Sequence, residues 1–174
     1  RIAHFVTNTP KQGCPLFRMH RDVRFSKYKT PYKTNTGVHF RHEAGKDAHA
    51  PGFYVHLAND GCFVGAGLWR PDAPALRAIR EAIAEDPKRW KKAVGGKAFT
   101  SRFELHGDAL KRPPSGFDKD HPCIEDIKRK DFIAMGKLTQ KQVTAADFDK
   151  QLAKDLRATA PLMKFLCGAV GVPF

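Results

Sequence analysis

Residues 21–35 read RDVRFSKYKTPYKTN and gather Arg21, Arg24, Lys27, Lys29 and Lys33 around a single acid, Asp22. Cations at this density repel one another unless water or an anion lies between them. Arginine offers two parallel N–H donors that match a phosphate or carboxylate, and lysine offers a point charge. Thr30, standing before Pro31, is biased toward extended backbone, which partly fixes the directions of the neighbouring lysines. Tyr32 adds a ring that can stack and a hydroxyl that can donate. The chemistry these residues suit is recognition of a phosphate- or carboxylate-bearing ligand by Arg21, Arg24, Lys27, Lys29, Tyr32 and Lys33. The competing reading is a solvated basic loop, the usual state of a charge run.

A second polar stretch, LKRPPSGFDKDHP at residues 110–122, sets Lys111 and Arg112 beside a rigid Pro-Pro turn, then Asp118, Asp120 and His121. Lys111 and Arg112 are expected to close the anion site from a distance. An enzyme reading adds Asp22 and His121 as an acid–base pair acting on an acidic or phosphorylated metabolite. The plainer alternative is a surface turn in which Asp120 or His121 caps the helix after Pro122. A third reading is a non-specific nucleic-acid-binding module, with Tyr28 and Tyr32 stacking on bases. No nucleic-acid motif accompanies it, and the basic surplus is local.

His20, His39 and His56 fall on the polar faces of three expected strands, where three imidazoles would suit zinc if the strands were neighbours. One register slip would scatter them, so no metal and no cofactor are expected. GAGLW, residues 65–69, follows a strand and precedes a helix as a dinucleotide fingerprint does. Arg70 stands where the third glycine belongs, and hairpin-length loops replace the crossover helices that motif requires. Gly65 and Gly67 read instead as places of close backbone approach.

The formal net charge is +13 over 174 residues, and residues 1–50 carry ten Lys and Arg against three acids. Residues 51–110 are nearly balanced, nine against seven. Such asymmetry favours an anionic partner, a small molecule first and nucleic acid second. Cys14, Cys62, Cys123 and Cys167 are too dispersed for a metal ribbon or redox pair. Reduced thiols make a cytoplasmic location the default expectation. No apolar run approaches the length of a membrane span, so no membrane partner is expected. Nothing in the pattern assigns an oligomeric state.

These residues must be positioned by alternating strands. LFRMHRDVRF (16–25), GVHFRH (37–42), FYVHLA (53–58) and CFVGAGLW (62–69) each alternate apolar and polar, and a loop of residues 26–36 links the first two. Asn59-Asp60-Gly61 predicts an antiparallel hairpin between residues 53–58 and 62–68. The period then changes. Leu76, Ile79 and Ile83 share a helical face after Asp72, and a second helix with Trp90 and Val94 follows Asp86-Pro87. A strand near 103–106, a helix from Ile124, the strand FIAMGKL and a last helix complete the pattern. Thr144 with Asp147 is expected to form that helix's capping box, and the helix to kink or restart at Pro161. The expected fold is one α+β domain over residues 1–174, a mainly antiparallel sheet with helices on one face.

The segments FRMHRDVRFSKYKTPYKTN, FYVHL, GCFVGAGLWRP, LRAIREAI and LKRPPSGFDKDHP, in this order, resemble a family of conserved hypothetical proteins called domain of unknown function 2461. The resemblance covers nearly the whole chain. Its motif positions fall on Arg21, Asp22, Arg24, Phe25, Lys29, Pro31, Tyr32 and Lys33, on Gly67, Trp69 and Pro71, and on Lys111, Arg112, Gly116, Phe117 and Pro122. It implies a fold boundary but no activity. Tyr28 departs from the small polar or acidic residue usual in the family, and His20 from an aromatic one. The resemblance also implies that the helical segment opening other members is missing here.

Overall fold

The computed structural model describes residues 5–6, 24, 27, 30–44 and 50–174. The expected strand over 16–25 lies outside these residues apart from Arg24, which sits in a turn. The described strands are β1 (Phe5–Val6), β2 (Asn35–His42), β3 (Gly52–Ala58), β4 (Cys62–Leu68), β5 (Glu104–His106) and β6 (Phe132–Leu138). They form one antiparallel sheet in the order β1-β2-β3-β4-β6-β5. The predicted hairpin is β3–β4, with Val55 opposite Val64. Strand β2 starts two residues earlier than the alternation indicated, at Asn35, which shortens the basic loop.

Seven helices accompany the sheet among the described residues: α1 (Ala73–Glu85), α2 (Pro87–Gly95), α3 (Lys97–Thr100), α4 (Ile124–Ile127), α5 (Gln140–Val143), α6 (Phe148–Ala158) and α7 (Ala160–Ala169). The domain is α+β. Its helices cover the sheet face made by Phe53, Val55, Val64, Ala66, Leu68, Phe132 and Ala134, all buried. Because side chains alternate along a strand, the register puts His39, Tyr54, His56 and Phe63 on the opposite face. No described helix is long and apolar enough to cross a membrane.

Local chemistry explains the helix boundaries. The Asp72 carboxylate accepts from Ala75 N at 2.9 Å, and Ile79 and Ile83 turn one face of α1 into the core. Asp86 caps α2 in the same way, accepting from Arg89 N. Trp90 on α2 is fully buried, edge-on to Phe165 of α7 and Phe132 of β6, and its indole N–H donates to Asp126 at 2.7 Å. Helices α6 and α7 meet at Thr159, where the expected restart before Pro161 occurs. Cys62, Cys123 and Cys167 are free and buried, and burial pushes the Cys167 thiol up to about 11.

The expected capping box at Thr144 and Asp147 is overturned. Asp147 precedes α6 at φ −105, ψ 17, away from the extended backbone that lets a cap side chain reach back, and makes no capping bond. The box belongs instead to α5, where Thr139 at φ −92, ψ 155 exchanges bonds with Gln142. Thr144 closes that turn by donating to the Gln140 carbonyl.

Candidate functional site

Four residues of the basic stretch, Tyr32, Lys33, Thr34 and Asn35, line a cleft of about 590 Å³ at the start of β2. Its wall is built by the end of β3, the β3–β4 turn and α5. Gln140 fastens α5 to the turn by donating to the Ala58 carbonyl at 2.9 Å. The lining is informative for what it lacks. Lys33, Asn35, Asn59, Gln140 and Tyr32 carry donor groups, and among the described residues no carboxylate lines the cleft. Tyr32 is 60% exposed.

Lys33 and Asn35 also border a smaller cavity of about 190 Å³ on the sheet face away from the helices, together with Gly37 and Tyr54. The Tyr54 hydroxyl and the Asn35 amide both reach His56 Nδ1, at 3.3 and 3.5 Å. With the Asn35 amide N–H donating, His56 Nδ1 is the acceptor of that pair. The His56 ring stacks on Phe63 at 4.7 Å. Burial raises the Tyr54 pKa. His39 Nδ1 accepts from Arg41 Nε at 3.3 Å, and burial, then the Arg41 charge, lowers its pKa. Sequence reasoning placed His39 and His56 on polar strand faces, and they share one face. His39 stands opposite Tyr54 rather than His56, and His20 lies outside the described residues. No group of three metal-ligating side chains occurs among the described residues.

The lowered His39 pKa has a measurable consequence. A ring that takes a proton less readily folded than unfolded is harmless above the unfolded pKa of about 6.5. It destabilises the fold as pH drops through that value, because the unfolded chain then binds the extra proton. Folding stability is expected to fall on acidification below about pH 6.5, and His39→Gln to flatten that part of the profile in urea titrations.

Of the other residues singled out in the sequence, Arg24 and Lys27 are described and exposed, while Arg21, Asp22 and Lys29 lie outside the described residues. Lys111 and Arg112 are exposed but not beside Tyr32 and Lys33. They follow β5, which lies four strand spacings from β2, roughly 19 Å. Lys33 enters β2 at the end of the sheet marked by Cys62 and Leu138, whereas β5 leaves at the Phe132 end. Leu110 N, bonded to the Lys128 carbonyl at 2.8 Å, holds the second segment there. His121 uses both ring nitrogens structurally: Nδ1 accepts from Cys123 N at 3.1 Å and Nε2 donates to the Ala84 carbonyl at 3.3 Å. The cap of α4 is Cys123, with no side-chain bond, so His121 pins the turn to α1 rather than capping the helix. Asn35, Asn59 and Gln140 escaped sequence reasoning. Only the turn signal at Asn59 could have drawn attention to one of them.

Comparison with known proteins adds one assignment. The model of the conserved hypothetical protein family DUF2461 matches residues 1–165, and the chain belongs to that family. No curated protein and no solved structure matches it.

Proposed function

We propose that this DUF2461 member binds a small phosphate- or carboxylate-bearing ligand in the cleft at the start of β2. The observation that carries the reading is the lining: an ammonium, three carboxamides and a phenol around about 590 Å³, with no carboxylate among the described residues. That volume lies within the range of small-molecule sites. Lys33 supplies charge, the Asn59 amide and the second N–H of the Asn35 and Gln140 amides supply donors, and Tyr32 stands at the rim. Arg21, Arg24, Lys27 and Lys29 add to the field that draws an anion in. Charge-assisted bonds are worth about 1.5–3 kcal/mol each, so three or four support micromolar affinity after ordering costs. No cofactor enters this reading.

The test is a melting curve against phosphate, sulfate and phosphorylated metabolites at fixed ionic strength. At a hundredfold excess over Kd, a ligand specific for the folded state adds about 2.7 kcal/mol, roughly 5–10 °C for a chain of this length. Lys33→Ala is expected to lose most of that gain while melting cooperatively. Equal shifts in the two proteins would reduce the effect to general salt stabilisation.

A further inference from the structure

The opposite end of the sheet carries a second aromatic beside cations. Trp69, just after β4, is 59% exposed. Its twin in the sequence, Trp90, is fully buried. The Arg70 guanidinium lies over the Trp69 ring at 4.9 Å from the centroid. Arg70 has φ 48 and is alone among the described non-glycine residues in the left-handed region. That backbone is held from beneath. Asp131, 8% exposed, accepts from Arg70 N at 2.8 Å with one carboxylate oxygen and from Asp108 N at 3.3 Å with the other. Gly107 permits this approach, since a Cβ there would meet Asp131 Cβ at 2.5 Å and its φ is +113. Two loops are thus locked together by a carboxylate whose acceptors are spent inside the protein.

Arg70 is the cation on the Trp69 ring, and further cations stand on the segments joined at this corner. Lys130 is tied into the same corner by its N–H bond to the Asp108 carbonyl, and Lys111 and Arg112 follow the Leu110–Lys128 bond. Among the described residues no carboxylate pairs with Arg70, Lys111, Arg112 or Lys130, as is true of most exposed lysines of this chain. Asp108 and Asp72 are exposed acids at this corner, Asp72 capping α1 with its carboxylate. Strained backbone over-determined by its surroundings clusters at ligand sites.

We infer that the Trp69–Arg70 corner is a stacking platform for single-stranded nucleic acid, with Trp69 against a base and Arg70, Lys130, Lys111 and Arg112 along the phosphates. Arg70 occupies one face of the exposed Trp69 ring, so a base stacks on the other, and stacking of an unpaired base tolerates any sequence. The platform is open, so a lone nucleotide gains one stack and few charges. A strand also releases counterions against a chain of net charge +13. This inference goes beyond the small-anion reading and uses none of the cleft residues.

The experiment exploits the two tryptophans. At low salt, an oligothymidylate of about twelve nucleotides should quench the exposed Trp69 emission and leave that of buried Trp90 unchanged. Trp69→Ala is expected to weaken binding about tenfold or more, measured by anisotropy of a labelled strand, and Trp69→Phe to recover most of it. Arg70→Ala should make the slope of log K against log salt shallower by about 0.7. Failure of the wild type to bind, Trp69→Ala binding within about twofold of wild type, equal affinity for a duplex, or equal affinity for thymidine monophosphate would each overturn the inference. Phosphate melting shifts, abolished by Lys33→Ala but unchanged by Trp69→Ala, report the cleft separately, so either reading can fail alone.

Discussion

Alanine at position 67 is expected to lower folding stability by about 2–6 kcal/mol, while alanine at position 65 costs little. The range combines strain of about 1–3 kcal/mol for a side chain at positive φ with about 1–3 kcal/mol for overpacking. Gly67 sits in β4 at φ +136, and a Cβ there would run into the Phe132 carbonyl of β6, which a neighbouring strand cannot withdraw. At Gly65 the nearest atoms to an added Cβ are 3.9 Å away, ordinary contact. Urea unfolding of Gly67→Ala and Gly65→Ala measures the contrast directly. Similar costs at the two positions would show that β6 does not press on β4 at Gly67.

The second large effect lies behind the sheet. Asp155 of α6 is buried and accepts from Arg102 Nε at 2.8 Å and from Gln151 at 3.3 Å. The same guanidinium donates to the Lys137 carbonyl on β6, so the pair ties α6 to the sheet across the segment after α3. Removing one partner of such a pair strands the other charge, at about 3–5 kcal/mol. Asp155→Ala is therefore expected to lose that much, and Asp155→Leu with Arg102→Met to regain a large part of it, because the double variant leaves no unpaired charge. A double-mutant cycle by urea denaturation checks this. Strictly additive losses would mean that the two side chains act independently.

What could be read without coordinates followed the reach of the interactions. Asp72 and Asp86 announce helices because a cap acts over three residues, and Asn59-Asp60-Gly61 announces a hairpin because the turn alone fixes the register. Thr144 and Thr139 look alike in the sequence. They are separated by backbone angles that depend on how α5 meets β6, and this non-local fact decides which of them caps. The site divides along the same line. Tyr32 and Lys33 stand out by charge density, but Gln140 reaches the cleft because α5 follows β6 at the far side of the hairpin. Chemistry alone groups Lys111 and Arg112 with the basic loop, and strand order sets them apart from Tyr32 and Lys33. His121 looked catalytic by type, and its two hydrogen bonds give it a structural task.

The placement of β6 beside β4 shapes the route by which this chain folds. Strands β2, β3 and β4 pair through short connections, so their loop-closure cost is small. The β4–β6 ladder joins Cys62 to Leu138 and must wait for a closure spanning all of α1 to α4. Non-local pairing of this kind slows folding. Until it forms, β4 is an open edge whose Val64, Ala66 and Leu68 are exposed to other chains. The cost of that interval falls on the nascent chain, since during synthesis β4 emerges well before β6 and waits unpaired for its partner.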